Sequence, residues 1–316
     1  MRIRRIGNGR LLPAAIAVAI IGVAVGLAWL DNRGPSSLPL PEHDLRAERT
    51  EATLRTGRKI EHFVLRTKGL GDIGIFVSLP EPLPRYKLPI LIVLGGLGTG
   101  EQNIRYIPDA GDNAVIGYDW PMPLSLDGVF ATLFALPTLY HQVMTIPAQV
   151  ASATAWLSAQ PWADPKSVSI LGFSLGALAA PAIENVAEHD GQPIGWTILA
   201  YGGDPFGALV AANPYLKPHF LRPILAPLVN ILLSPLEPAK NLPGLSGEFL
   251  VLQGNDDSLI PSDARARFRD AVPEPKTVTV FEGDHMGVDP DKLGLLQQII
   301  GASKLWLIDK GAIAPF

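Results

Sequence analysis

The sequence predicts an α/β protein with a mostly parallel sheet covered by helices. Three observations predict it. LPILIVLGG (residues 88–96) is apolar almost throughout rather than alternating, as a strand buried on both faces is. Strand-like runs and helix-like stretches take turns along most of the chain. SVSILGFSLGALAA (167–180) reads as a strand, a tight glycine turn and a helix in direct succession.

The elements follow in order. KIEHFVLRTK (59–68) and IGIFVSLP (73–80) are strands joined by a GLGD turn, and the 88–96 run is the next. AVIGYDW (114–120) supplies another strand, and a helix covers much of 143–159. After the 167–172 strand, the helix of 175–186 leads to IGWTILAYG (194–202). The 247–254 strand, a polar helix after Pro261, TVTVFEG (277–283) and a terminal helix within 291–308 complete the alternation. Residues 203–246 interrupt it with an apolar, proline-rich stretch, too punctuated for one helix and too long for an ordinary connection. Short helices forming a cap are expected there. They would line an acyl pocket, bury their leucines against the core, or meet a bilayer.

The N-terminus stands apart. MRIRRIGNGR carries four arginines and no acid, and Leu11 to Leu30 is a run of twenty uncharged residues. A helix of that length spans about 30 Å, the thickness of a bilayer core. It exceeds the 7–15 apolar residues, roughly, of a cleavable signal, which remains the alternative. The arginines predict a cytoplasmic N-terminus, an inner-membrane anchor and a body in the periplasm, or an exported soluble protein if the segment is cleaved. The expected organisation is an anchor at 1–33, a linker with a short, polar, helical extension at 34–58, a core at 59–202, the cap at 203–246 and the rest of the core at 247–316.

Residues 1–33 hold five of the 26 basic residues and one of the 30 acidic ones, so the body keeps 21 against 29, a net charge of −8. Such a body, without a basic stripe, excludes a nucleic-acid partner. The chain has no cysteine, which excludes disulfides, cysteine nucleophiles and thiolate metal sites.

GFSLG places Ser174 between Gly172 and Gly176 on a strand-to-helix turn, where a strained backbone exposes the hydroxyl. A serine that caps the helix is the alternative. Asp256 and Asp257 follow one later strand and His285 another. Either carboxylate would serve as a triad acid or cap a turn. His43, His62, His141, His189 and His219 are scattered and form no compact metal motif. LGGLGTG (94–100) lacks the spacing of a dinucleotide fingerprint and the GK-Ser/Thr ending of a phosphate loop, and the chemistry needs no cofactor.

In these motifs the chain resembles the α/β-hydrolase superfamily, broadly its esterase, lipase and serine-peptidase-like members, over residues 59–308. The resemblance implies a mostly parallel eight-stranded sheet, a cap inserted after the sixth strand, and catalytic residues in the order Ser174, acid, His285. The family's spacing of glycine, aspartate and proline, matched to Gly254 and Pro261, favours Asp257 over Asp256. The implied oxyanion donors are the amide of Leu175 and that of Gly96 or Leu97, although Leu94 stands where the family often has histidine. Phe173 and Phe206 are expected pocket aromatics; Trp120 would line the pocket or pack as a buried aromatic, and Asp119 would orient a neighbouring loop or sit in a surface turn. The implied activity is serine-dependent hydrolysis of a carboxylic ester with a small-molecule or lipid-like acyl group. An amidase, peptidase, acyltransferase or noncatalytic binding protein would use the same scaffold.

Overall fold

The computed structural model describes residues 22, 25–55, 57–96, 100–107, 109–121, 129–287, 289 and 292–315, with side chains from 137 onward in the helix that begins at 129. Nine strands form one sheet in the order β1-β2-β3-β5-β4-β6-β7-β8-β9. They are β1 (Arg46–Arg55), β2 (Arg58–Arg66), β3 (Ile73–Pro80), β4 (Leu88–Leu94), β5 (Ala114–Tyr118), β6 (Ala163–Phe173), β7 (Trp196–Ala200), β8 (Glu248–Gly254) and β9 (Lys276–Phe281). Pairings from β1 through β3 to β5 are antiparallel, and those from β5 across to β9 are parallel. The sheet is thus mostly parallel, with nine strands rather than eight.

The additional strand is β1, where a polar and helical extension was expected. All ten of its residues are exposed, so it has no buried face to produce an alternating pattern. The ladder to β2 and cross-strand polar pairs hold it: Arg49 Nη1 lies 2.8 Å from Glu61 Oε1, and Thr50 Oγ1 lies 2.7 Å from His62 Nδ1. Its charged side chains also blunt the open edge of the sheet.

The helices are α1 (Gly100–Arg105), α2 (Val129–Ser158), α3 (Leu175–His189), α4 (Phe206–Ala212), α5 (Arg222–Leu232), α6 (Pro238–Asn241), α7 (Ser262–Ala271) and α8 (Leu293–Asp309). In β4, Ile90, Ile92 and Leu94 join a core shared with α2 and α3, while Leu91 and Val93 join the opposite core with α8. Burial on both faces explains the unbroken apolar run.

Most of the expected anchor, Leu11 to Leu30, lies outside the described residues; residues 25–31 are helical. Among the described residues no helix is long and apolar enough to cross a membrane. The insertion forms α4, α5, α6 and two short 3-10 turns, His219–Leu221 and Ser234–Leu236. Its two ends meet at buried carboxyls. Glu237 accepts from the amide of Phe206 at 3.2 Å, and Asp204 Oδ1 accepts from the amide of Ala239 at 3.2 Å. Burial, reinforced by Asp204, pushes the Glu237 carboxyl up to about 8.

Candidate active site

Ser174 sits between β6 and α3 with φ of 53°, in the left-handed region that non-glycine residues rarely occupy. Its amide donates to the Ala200 carbonyl at 2.9 Å, which ties the turn to the end of β7. A Cβ on Gly176 would lie 1.9 Å from the Leu94 carbonyl oxygen, and one on Gly172 would lie 2.7 Å from the Gly176 carbonyl oxygen. Glycine at both positions is therefore what lets α3 approach β4 and turn sharply beneath the serine. The serine side chain does not cap α3. Its Oγ instead lies 2.9 Å from His285 Nε2.

His285 Nδ1 lies 2.9 Å from Asp257 Oδ2. A carboxylate only accepts, so Nδ1 carries the proton and Nε2 is left to accept from the serine hydroxyl. The other carboxylate oxygen, Oδ1, accepts from the amides of Leu259 at 2.9 Å and Ile260 at 3.0 Å. The Asp257 side chain is 0% exposed and that of His285 8%. Asp256 is exposed, and its amide donates to the Gly283 carbonyl at 3.2 Å. Of the two adjacent acids, Asp257 is the one that reaches the imidazole.

Three polar groups absent from the sequence reading hold the acid and histidine loops. Arg265 of α7 donates to the carbonyls of Asn255, Asp257 and Ile260. Asn255 Oδ1 accepts from the amide of Gly283 at 2.9 Å. Asp284 Oδ1 accepts from the amides of Ser258 at 2.8 Å and His285 at 2.6 Å, joining the two loops. Burial opposes ionisation of Asp284, but these hydrogen bonds and the nearby Lys292 ammonium hold its carboxyl well below the usual range. Its position next to His285 was the available signal; nothing local marks Arg265. Tyr201, the other described non-glycine residue with positive φ, presents its ring edge-on to His285, with centroids 5.4 Å apart.

A cavity of about 460 Å³ opens beside Ser174. Val93, Ile107, Phe173, Leu296 and Ile300 supply much of its apolar wall, and Gly96 and Leu175 also line it. A Cβ on Gly96 would lie 3.7 Å from the Cβ of Ser174, so the loop after β4 runs close to the hydroxyl. Leu97 lies outside the described residues. Asn103 lines the cavity as well, and its buried Nδ2 has no hydrogen-bond partner among the described residues. Asp119 Oδ1 accepts from the amide of Gly100 at 2.7 Å, fixing the start of α1 beside the cavity.

Of the three candidate pocket aromatics, only Phe173 is in the wall. Trp120 packs edge-on against Tyr118, with centroids 5.5 Å apart, and Phe206 packs against the core beneath the insertion. The apolar wall comes from strand ends, the residues just after α1, and α8. The insertion contributes Tyr215.

Solved structures with the same architecture include acetyl xylan esterase 1 from Thermoanaerobacterium sp. JW/SL YS485, at 14% identity and a TM-score of 0.57 over 87% of this chain and 93% of that one. An S-formylglutathione hydrolase from Agrobacterium tumefaciens matches at 15% identity and a TM-score of 0.53, over 82% of this chain and 98% of that one. The Pyrococcus horikoshii acylaminoacyl peptidase matches at 16% identity and a TM-score of 0.56, over 80% of this chain and 41% of that one. No protein-family model and no curated protein matches the sequence. These neighbours are α/β-hydrolase superfamily members, and the chain has the α/β-hydrolase fold. They include both esterases and a peptidase, so the likeness does not resolve a subfamily.

Proposed function

We propose that the protein is a serine hydrolase that cleaves carboxylic esters with hydrophobic acyl groups through an acyl-enzyme. The observation that carries this reading is the continuous chain from Ser174 Oγ through His285 to Asp257, opening on a cavity with an apolar wall. Ser174 Oγ attacks the ester carbonyl carbon while its proton passes to His285 Nε2. Asp257 orients the imidazole and stabilises its charged form. The C–O bond to the alcohol then breaks, and the proton on Nε2 goes to the leaving oxygen. Water, deprotonated by the same nitrogen, then attacks the acyl carbon; the bond to Ser174 Oγ breaks, the acid leaves and Nε2 returns its proton to Oγ.

The oxyanion is assigned to the amides of Leu175 and of Gly96 or Leu97. Leu175 opens α3, where a first-turn amide has no intrahelical partner. Each such donor is worth about 10²–10³ in kcat. The uncharged Leu11–Leu30 run behind its arginines supports anchoring in the inner membrane, with the N-terminus in the cytoplasm and the catalytic body in the periplasm.

The test is hydrolysis of matched esters and amides of increasing acyl length by the full chain in detergent, with products identified by mass. Ester turnover that falls at least about 10³-fold in Ser174→Ala is expected. Preferential amide cleavage would make the protein an amidase or peptidase, and binding without turnover would remove it from the enzymes. Fractionation after mild lysis checks the anchor, which a fully soluble body would contradict.

A further inference from the structure

The outward face of α5 is apolar. Phe220 is 70% exposed and Ile224 56%, and Leu228 and Leu232 are exposed in turn. The four recur every fourth residue, so they form a single stripe along the helix and the turn that precedes it. Pro223 and Pro227, also exposed, flank the stripe. A soluble surface helix presents the reverse, polar outside and apolar inside. From Pro205 to Leu236 there is no acidic residue, and the fixed charges are those of Lys217 and Arg222, in a body whose net charge is −8 (21 basic against 29 acidic residues outside 1–33).

The end of the N-terminal uncharged run is fastened to this same helix. Arg33 Nη2 donates to the Leu232 carbonyl at 3.2 Å and to the Tyr140 hydroxyl at 2.6 Å. Ser234 Oγ donates to the Asp31 carbonyl at 2.7 Å, and Lys240 Nζ donates to it at 3.0 Å. On the helical residues 25–31, Val25 and Trp29 also face outward, Trp29 with 66% of its surface exposed. The chain N-terminal to them continues without a charge back to Leu11.

We infer that the α5 face is a docking surface for an anionic lipid bilayer, seated there by the N-terminal segment. The inference rests on Leu11–Leu30 being a membrane segment. α5 has eleven residues, about 16 Å, which is too short to cross a bilayer. It lies along the interface, with Phe220, Ile224, Leu228 and Leu232 in the acyl region and the exposed Lys217 at headgroup level. Tyr215, on the same insertion, is exposed and lines the cavity. Docking therefore brings one edge of the cavity to the lipid surface and selects an ester that partitions into the membrane.

The chain has no cysteine, so single cysteines can be introduced and labelled with an environment-sensitive fluorophore. Full-length Leu228→Cys, Val25→Cys and Asp270→Cys proteins would be reconstituted in phosphatidylcholine/phosphatidylglycerol vesicles containing brominated acyl chains. Quenching at 228 and 25, severalfold above that at 270, is expected. Quenching at 25 without 228 leaves the anchor and overturns the docking; quenching at neither overturns both. A label at 228 already shielded before vesicles are added overturns the docking in favour of self-association or of the chain's own N-terminus.

The double variant Ile224→Asp/Leu228→Asp supplies the second readout. It should keep wild-type turnover of a water-soluble short-chain ester and lose at least about tenfold on the same acyl ester held in vesicles, as removal of two buried apolar side chains implies. Equal turnover on both presentations overturns docking. Absence of turnover on either ester by the wild type is instead a failure of the hydrolase reading, and the quenching result stands apart from it.

Discussion

The loops at the carboxyl ends of β6, β8 and β9 bury polar side chains, whereas the insertion from Pro205 to Leu236 exposes apolar ones. In the loops, both Asp257 oxygens and both His285 ring nitrogens have hydrogen-bond partners. Asp284 and Arg265 then secure the backbone around them. On α5 and the turn before it, four large apolar side chains are exposed among the described residues. Burying a polar group is tolerable only when its hydrogen bonds are made, and an apolar stripe is stable outside only when another phase covers it. One region is organised to hold reacting atoms, the other to meet a surface.

Asp257→Asn should have the largest effect within this comparison, lowering kcat about 10⁴-fold through the wrong imidazole tautomer. Its exposed neighbour should be nearly silent, with Asp256→Asn within about twofold of wild type. Steady-state kinetics on one ester checks both, and equal losses would break the distinction between a buried polar network and a solvated loop. Gly176→Ala comes next. The new methyl meets a backbone carbonyl rather than a flexible side chain, so α3 and β4 must separate, at a cost of about 1–3 kcal/mol in denaturant unfolding.

The smallest effect sharpens the comparison from the insertion's side. Glu237, at the insertion's base, has a folded value raised to about 8 from an ordinary 4.5, so the folded protein holds a proton that the unfolded chain releases. Its contribution is present at low pH and lost as pH rises from about 4.5 through about 8. Glu237→Gln should flatten that decline and be the more stable form above about pH 8. Parallel unfolding curves of the two proteins across this window would show that the carboxyl is not protonated in the fold.

Much of the fold was legible because its strands are buried on both faces. The apolar run of β4 needs no partner to be recognised, and GFSLG marks the turn after β6 through its spacing alone. β1 was not legible, since both of its faces are solvated and only pairing to β2 makes it a strand. Trp120 and Phe206 were pocket candidates for their size and position along the chain. Each turns instead into a core contact, because aromatic size signals burial without naming the neighbour.

By itself the sequence determined the order of serine, acid and histidine, the glycines flanking Ser174, the uncharged N-terminal run and the absence of acids from Pro205 to Leu236. These are local properties, set by residue type and spacing. Tertiary structure alone decided that the residues after α1 and those of α8 supply much of the cavity's apolar wall, and that the α5 stripe points outward beside the end of the N-terminal run; it also brought Asp257, the acid the spacing favoured, to His285. Direction is the physical reason. Which way a loop carboxylate or a helix face points depends on what packs behind it, and those partners lie far away along the chain.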